Sequence, residues 1–382
     1  MAFNITYKNQ DDTSEVHRCG FKYIYDNLLP LNQNENDPIL LDLYADKTFN
    51  WTNCDTKLPY TKHFMAIVHH TFDIEFSDNN AYNMIHSKNF KDSLMYCKGI
   101  IVLSKYLQEQ MKQELYKMNI HIPVFRLTHP TEINVLKFDY NKFLNNENKK
   151  LIHIGAWLRN IYFFYNLTLG KYPLSYKNIF KVNIKKESLQ KVALKGIDMD
   201  DYFYSDSFIN TLKNISPRLS KKIVVSRGNC STDNSDFLVY NKWYSQFQNF
   251  INHMKNSVTI LDRLDNSDYD NILTENIVFI NLIDASACNT LIECVVRHTP
   301  IIINKHPAVV EVLGPHYPLY YNKDEPNGIS YNYFETNKEI DDLLNIKGII
   351  LKAHTYLKKL DKTSFTIKYF TDNLKNIINS VN

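Results

Sequence analysis

The chain has 382 residues, 44% of them hydrophobic, with 22 Phe and 26 Tyr, which is enough to bury two domain cores. Its 44 Lys and Arg nearly balance 41 Asp and Glu, which argues against the concentrated basic surface of a duplex nucleic-acid binder. The six cysteines form no CxxC pair, the amino terminus has no apolar signal segment, and no run of about 18 apolar residues occurs. The composition therefore predicts a folded cytoplasmic protein with reduced thiols and no membrane span.

Short apolar segments along the chain predict buried β-strands. They are rich in Ile and Val, and most lack an alternation of polar and apolar residues, which is typical of parallel strands covered on both faces. In chain order they are residues 38–43, 63–68, 99–103, 124–127, 151–155, 222–225, 257–261, 277–280 and 300–303. Helical patterns lie between them, as in Lys105–Met118, which follows Ser104 as a candidate N-cap. This alternation predicts an α/β fold with parallel sheets.

A polar segment divides the chain into two parts. Asn141–Lys150 (NKFLNNENKK) is charged and rich in Asn, and we interpret it as an interdomain linker. We expect a first domain over residues 1–144 and a second over residues 149–334. The remaining residues, 335–382, predict two amphipathic helices, at 337–360 and 364–381, that pack at the domain junction and back onto the first domain.

The segment over residues 275–321 carries the strongest functional signal. It predicts a strand, a loop of small and polar residues at 284–288, and a helix that begins at Asn289 and Thr290. The first N–H groups of a helix are unpaired and lie at its positive end, and small residues before it let a phosphate approach. Glu293, one turn into the helix, is placed to accept hydrogen bonds from ribose hydroxyls. The pattern fits a nucleoside diphosphate, although a polar turn and a capped helix also occur in ordinary βα units.

The same segment resembles the donor-binding segment of glycosyltransferases with the GT-B fold. That family has a small-residue loop, a helix that carries a Glu, a short strand and a second Glu before a Gly. The corresponding residues here are Glu293, Pro300–Ile303, Glu311 and Gly314. Where the family often has an acidic residue, eight positions before the helix Glu, this chain has Ala285.

Other segments extend the resemblance over roughly residues 39–320. Residues 100–111 resemble the strand and helix before the family's interdomain linker, residues 151–160 its first carboxyl-terminal strand and loop, and residues 258–273 its nucleotide-base loop. LPYTKHFMAIVHHTF, GAWLRN and ALKG together also resemble glycosyltransferase-like proteins of giant DNA viruses. The resemblance implies two Rossmann-like domains whose parallel sheets face a cleft. It also implies a nucleotide-sugar donor as substrate and no other cofactor, with a glycan, protein or small-molecule acceptor.

Two arginines are candidates to stabilise the leaving diphosphate, which gains negative charge as the glycosidic bond breaks. Without a metal, Arg or Lys together with a helix N-terminus must supply this stabilisation. Arg159 and Arg227 each follow a predicted strand end, and the resemblance places Gly155 in the loop that faces the diphosphate. Phe164 stands where many family members have a Lys after such an Arg. A surface ion pair is the alternative role for each arginine.

Histidines at strand ends are candidates for work on the acceptor or the sugar. His69 and His70 follow the predicted strand at 63–68, where a base for an acceptor hydroxyl or a ligand for the donor sugar is expected. Successive residues of an extended chain point to opposite sides, so only one of them should face the cleft. By resemblance His306 lies near the donor sugar, whereas a surface loop is the alternative. The predicted catalytic residues are His69, His70 and Arg159, and the predicted donor-binding residues are Gly155, Arg227, Ser286, Asn289, Thr290, Glu293 and His306.

The sequence therefore predicts a metal-independent GT-B glycosyltransferase that moves a sugar from a nucleotide-sugar to an acceptor. The residues Ala285 and Phe164 motivate a second hypothesis, a catalytically inactive sugar-nucleotide- or glycan-binding protein on the same scaffold. A sugar-nucleotide epimerase of the same fold is a third. Two DxD patterns, at 198–200 and 268–270, do not end apolar strands, which weighs against a metal-dependent transferase. The sugar, the base, the acceptor and the oligomeric state are open.

Overall fold

The computed structural model describes most of the chain outside residues 168–258. The described residues are 3–6, 20–31, 39–50, 57–74, 76–155, 157–160, 163–164, 167, 190–194, 259–261, 264–330 and 333–381. They form two parallel β-sheets flanked by helices, which confirms the predicted α/β fold class.

The first sheet has five parallel strands that lie side by side in chain order. They are β1 (Phe3–Thr6), β2 (Ile39–Asp42), β3 (Phe64–Val68), β4 (Cys97–Val102) and β5 (Val124–Arg126). Every residue of β3 is buried, as expected for a continuous apolar run between two helical layers. The helices of this half are α1 (Phe21–Leu28), α2 (Ala45–Asn50), α3 (Ala81–His86), α4 (Lys88–Ser93) and α5 (Lys105–Lys117).

The second sheet has six parallel strands whose order reverses within the sheet, β11-β10-β9-β6-β7-β8. They are β6 (Lys150–Ile154), β7 (Gln190–Leu194), β8 (Thr259–Leu261), β9 (Ile277–Ile280), β10 (Ile301–Asn304) and β11 (Tyr320–Tyr321). Its helices are α6 (Tyr140–Asn145), α7 (Asn266–Thr274), α8 (Asn289–Arg297) and α9 (Pro307–Leu313). Because the order reverses between β6 and β9, the loops after these two strands border a crevice, where ligands bind in open α/β sheets.

The chain crosses between the halves earlier than the sequence predicts. Residues 141–145 of the supposed linker belong to α6, and Phe143 is fully buried in the core of the second sheet. Val135 is buried in that same core, whereas Leu127 is buried in the core of the first sheet. The crossing therefore lies between Leu127 and Val135. The linker prediction is wrong because the polar residues belong to the exposed face and the ends of a short helix.

The carboxyl-terminal region forms three helices where the sequence predicts two. They are α10 (Tyr333–Asn345), α11 (Ile349–Lys359) and α12 (Ile367–Val381). The chain turns at Gly348, whose φ of 70° lies in the left-handed region that glycine adopts without strain. Helices α10 and α11 pack on the second core, and α12 buries Phe370 and Leu374 in the first core. None of the described helices has the length and apolar character needed to cross a bilayer.

One carboxylate joins the two halves directly. Glu311 of α9 accepts hydrogen bonds from the backbone N–H groups of Lys105 (2.7 Å) and Tyr106 (2.6 Å) at the start of α5. Ser104 caps the same helix through its hydroxyl, which accepts from Leu107 N–H. The first amides of a helix have no intrahelical partner and lie at its positive end, so a carboxylate from the other half stabilises both the helix and the domain contact.

Replacing Glu311 with alanine should lower the free energy of unfolding by about 1–2 kcal/mol, because two N–H groups lose a charged acceptor. Urea denaturation measures this loss, and Glu311→Gln, which keeps one acceptor oxygen, should lose less. The matched control is Glu109→Ala on the exposed face of α5, where the side chain is 54% exposed. If Glu311→Ala were no less stable than Glu109→Ala, the contact would add nothing to the domain interface.

Candidate functional site

The loops after β6 and β9 meet at the point where the strand order reverses. Arg159 forms an antiparallel bridge with Leu282, and Ile283 N–H donates to the carbonyl of Leu158 at 2.9 Å. Leu158 has a φ of 56°, a left-handed conformation that a leucine adopts only under constraint. The backbone contacts therefore hold Leu158 and Arg159 against the loop after β9, with the Arg159 side chain directed toward α8.

The Arg159 guanidinium lies buried at the start of α8. Its Nη2 is 3.2 Å from Thr290 Oγ1 and 3.4 Å from Cys288 Sγ, and the residue is only 9% exposed. Gly155 lies directly beneath it, since a Cβ at this position would stand 2.7 Å from Arg159 Nη1, and its φ is 75°. Arg159 Nε has no hydrogen-bond partner among the described residues. A permanently charged group with an unused donor is thus fixed beside the helix terminus.

The amino terminus of α8 has no side-chain cap. Cys288 occupies the N-cap position without making a capping hydrogen bond, although Ser, Thr, Asp or Asn usually caps a helix there. Ser286, just before it, is 4% exposed, and its hydroxyl has no hydrogen-bond partner in the described part of the chain. The positive end of the helix and the Arg159 guanidinium together give this corner the character of an anion site.

Glu293 differs from the sequence expectation of a carboxylate open to the crevice. It is 3% exposed and accepts a hydrogen bond from the Tyr269 hydroxyl of α7. Burial raises the pKa of Tyr269 well above its usual range, and the negative charge of Glu293 raises it further. The phenol therefore stays protonated and donates the hydrogen bond. One turn on, Arg297 pairs with Asp270 at 2.7 Å and lies over the Tyr269 ring. Contacts between α7 and α8 therefore occupy this carboxylate.

In the first half, Asp46 holds the tandem histidines in place. Its carboxylate accepts from the backbone N–H groups of His69 (2.6 Å) and His70 (3.2 Å). The His69 ring is turned into the first half, where Nε2 lies 2.8 Å from the carbonyl of Leu43. Burial keeps the pKa of His69 well below its usual value, and charge repulsion from the nearby His129 lowers it further. The His69 ring therefore stays neutral.

The His70 ring is the one that reaches the second half. Its Nδ1 hydrogen-bonds the carbonyl of Asn79, so Nδ1 carries the proton and Nε2 accepts from the Tyr44 hydroxyl at 2.8 Å. The ring centroid lies 4.8 Å from that of Trp157, which belongs to the loop after β6. Both rings pack against Tyr44, at 5.0 Å for His69 and 5.5 Å for His70, and the His70 ring also contacts Trp157 of the second half.

His306 is fully buried, which contradicts the surface-loop alternative, and its placement near the donor sugar stays a prediction. Its Nδ1 accepts from Ala308 N–H and caps α9, which assigns the proton to Nε2. This Nε2 lies 3.1 Å from Asp284 Oδ1, at an angle outside that of a hydrogen bond. The Tyr106 ring of the first half packs edge-on against it at 4.8 Å. His306 therefore caps α9 and also packs against the first half through Tyr106.

The predicted donor-binding residue Arg227 lies outside the described residues.

A cavity lies between the halves and borders the loop residues that precede α8. It is bordered by Ser286 and Ile292 from the second half and by His129 from the first, with Arg126 and Glu311 at its edge. Arg159 and Glu293 do not line it. The two charged residues at its edge lie 3.8 Å apart and offset each other, whereas the positive charge of Arg159 faces a helix terminus. On charge, the Arg159 corner is the better anion site.

Sequence reasoning missed several residues that shape this region. His153 is fully buried, and its Nε2 donates to the carbonyl of Gly155 at 2.9 Å, which steadies the turn beneath Arg159. Burial, and then the Arg159 charge, lower the pKa of His153 to about 3, so it stays neutral. Tyr44, Trp157 and Tyr269 were missed too. A single histidine in an apolar run, or a lone tyrosine or tryptophan in a turn, loop or polar helix, gives no pattern that would reveal such contacts.

No family model matches the sequence, and no curated protein matches it significantly. The structure does match solved structures. One is a point mutant of TarM from S. aureus, in complex with fondaparinux, α-GlcNAc-glycerol and UDP. It is 11% identical with a TM-score of 0.54, and the match covers 93% of this chain and 58% of that one. The pneumococcal O-GlcNAc transferase GtfA, in complex with UDP and GlcNAc, has 12% identity and a TM-score of 0.53, over 94% and 60%. Anabaena Alr3699/HepE, in complex with UDP and glucose, has 9% identity and a TM-score of 0.54, over 94% and 82%.

The chain has a GT-B fold. It spans about three-fifths of the length of TarM and GtfA. Because the identities are so low, the likeness establishes the architecture, and any function has to be argued from this chain's own residues. In this chain the crevice between β6 and β9 belongs to the carboxyl-terminal half, and the His70 ring of the other half lies against Trp157 of the loop after β6.

Proposed function

We propose that this GT-B chain is a glycosyltransferase that moves a sugar from a nucleotide-sugar donor to a hydroxyl of an acceptor. The observation that carries the proposal is the Arg159 guanidinium beside the uncapped start of α8, at the reversal of strand order. A diphosphate there would receive hydrogen bonds from helix N–H groups and from a buried cation. The similar structures contain UDP, so UDP is the first nucleotide to test.

The proposed reaction gives each group a defined task. As the bond between the sugar and the diphosphate breaks, its electron pair passes to the diphosphate oxygen, and Arg159 with the α8 dipole stabilises the new charge. The acceptor hydroxyl attacks the anomeric carbon and loses its proton. His70 is the proposed base, and Nε2 is the nitrogen that would take the proton, because Nδ1 is held by Asn79. The Tyr44 hydroxyl must release Nε2 for this step.

The ribose of the donor is proposed to bind at Glu293. The Tyr269 hydroxyl now donates to this carboxylate, so a ribose hydroxyl would take the place of that donor. Such an exchange replaces one charge-assisted hydrogen bond with another and costs little in enthalpy. The proposal therefore expects α7 to move, or the Tyr269 side chain to rotate, when nucleotide binds.

A specific set of observations favours the second hypothesis, a binder without turnover. Ala285 stands where the resembled family often has an acidic residue, and Tyr269 and Tyr44 already engage Glu293 and His70. On this reading the scaffold binds a sugar nucleotide or a glycan and does not react. The two functions differ in one observable, which is the release of nucleotide when an acceptor is present.

A thermal-shift screen of nucleoside diphosphates and their sugars is the direct test, because a bound ligand stabilises the folded state by mass action. The proposal predicts that UDP raises Tm, that a UDP-sugar is consumed, and that EDTA leaves the rate unchanged. Absence of any shift across the panel would contradict it. Binding without turnover favours the binder, and interconversion of free sugar nucleotides without acceptor favours the epimerase. A cytoplasmic location and a viral source stay predictions from the sequence.

A further inference from the structure

Trp157 occupies an unusual place at the mouth of the crevice. It lies in the loop after β6, between Gly155 and Leu158, which both have positive φ, and its carbonyl is 3.3 Å from Arg159 Nη1. The bridge from Arg159 to Leu282 anchors the loop immediately after it. The indole therefore lies two residues from the proposed diphosphate site, and the residues that follow it are held by backbone contacts to the loop after β9.

The indole reaches the first half and is still partly uncovered. The His70 ring lies 4.8 Å from it at an interplanar angle of 32°, and the Phe76 ring meets it edge-on at 5.0 Å. Even so, 43% of Trp157 is exposed, and Ile74, two residues before Phe76, is 59% exposed. A large aromatic surface left in water costs free energy, and tryptophan is enriched at binding hot spots.

The chemistry of this surface selects one kind of ligand. An indole face is electron-rich, so it attracts groups with weakly positive hydrogens. The apolar face of a pyranose presents a row of such C–H groups, while its hydroxyls point outward to hydrogen-bonding partners. A nucleobase would also stack on an indole. Trp157, however, contacts the first half, whereas the nucleotide is proposed to lie toward α7 and α8, on the other side of Arg159.

We infer that the exposed surface of Trp157 is a stacking platform for a pyranose ring of the acceptor, which makes the acceptor a carbohydrate. This inference rests on the proposed function and names the class of its second substrate. The contact with His70 gives the platform a second property. The proposed base and the platform are held together, so a sugar stacked on Trp157 would bring a hydroxyl near His70 Nε2.

The test uses methyl pyranosides of glucose, galactose, mannose and N-acetylglucosamine with the full chain saturated by UDP. Saturation-transfer NMR identifies the glycoside that binds, and titration gives its Kd for wild type, Trp157→Ala and Trp157→Phe. We expect Trp157→Ala to weaken glycoside binding by about tenfold or more, while Trp157→Phe, which keeps an aromatic face, stays within about threefold of wild type. The Kd of UDP should be unchanged in both variants.

Tyr116→Ala is the matched control, because Tyr116 is an aromatic residue on α5 that is 77% exposed and outside the crevice. Unfolding curves confirm that each variant is folded. The inference is overturned if Trp157→Ala binds the glycoside like wild type, or if UDP binds and no pyranoside does. The second result would leave the proposed nucleotide site standing, whereas failure of UDP to bind would remove the proposed function itself.

Discussion

Replacing Arg159 with alanine is expected to weaken UDP binding by about tenfold to a hundredfold and to slow sugar transfer by about 10²–10³-fold. The guanidinium lies next to Thr290 at the start of α8, so its removal takes a buried side-chain cation away from this corner. The effect on transfer should exceed the effect on binding, because the diphosphate gains charge as the bond breaks. Isothermal titration gives the Kd, and the initial rate of UDP release gives the turnover.

Two further variants make the Arg159 experiment specific. Arg159→Lys keeps the charge and loses the planar fork, so its Kd and rate should lie between those of wild type and Arg159→Ala. Arg126→Ala removes a cation from the edge of the neighbouring cavity and should leave UDP binding unchanged. If Arg159→Ala binds UDP normally and only its Tm falls, Arg159 is a structural residue that ties two loops together.

Glu293→Gln is expected to weaken UDP affinity by about 1–3 kcal/mol, because an amide cannot replace a carboxylate as acceptor for two ribose hydroxyls. A variant of Tyr269, the hydrogen-bond partner of Glu293, distinguishes a ribose-binding role from a structural one. Tyr269→Phe removes the hydroxyl that now donates to Glu293, so it should leave UDP affinity equal or higher. The same variant should lower the free energy of unfolding by about 1 kcal/mol through the lost hydrogen bond.

The opposite directions of the two effects test the idea that a ribose replaces the Tyr269 hydroxyl. A variant that merely disturbs packing would lower affinity and stability together. If Glu293→Gln and Tyr269→Phe weakened UDP binding to the same degree, the pair would be a structural link between α7 and α8. Glu293 would then have no place in the nucleotide site.

The sequence was most informative where one local signal sufficed. Continuous Ile- and Val-rich runs predicted strands such as β3, β9 and β10, since burial on both faces leaves no polar positions. It missed β1 (FNIT), β7 (QKVAL) and the two-residue β11, which are short or contain polar residues. The predicted strand at 222–225 lies outside the described residues. Short strands depend on their neighbours in the sheet, and no local pattern encodes those.

The candidate site divides in the same way. The local sequence was enough to predict β6 and the start of α8. The structure brings together three residues beside these elements, Gly155, Arg159 and Thr290. Glu293 accepts a hydrogen bond from Tyr269 instead of lying open to the crevice. This contact joins two helices, and no spacing in the sequence predicts it. Likewise, the cap that Glu311 provides to α5 joins residues more than 200 positions apart. Long-range contacts of this kind decide whether a side chain is available to a ligand, and they become visible only in the folded chain.

The central claim is that a nucleoside diphosphate binds where Arg159 meets the start of α8, and a crystal structure of the chain with UDP tests it most directly. We predict diphosphate oxygens within hydrogen-bond distance of the Arg159 guanidinium and of the Thr290 N–H. We also predict that the ribose lies against Glu293 and that the Tyr269 hydroxyl has moved away. Electron density for UDP in the cavity beside Glu311, with the contact between Arg159 and Thr290 unchanged, would contradict the claim.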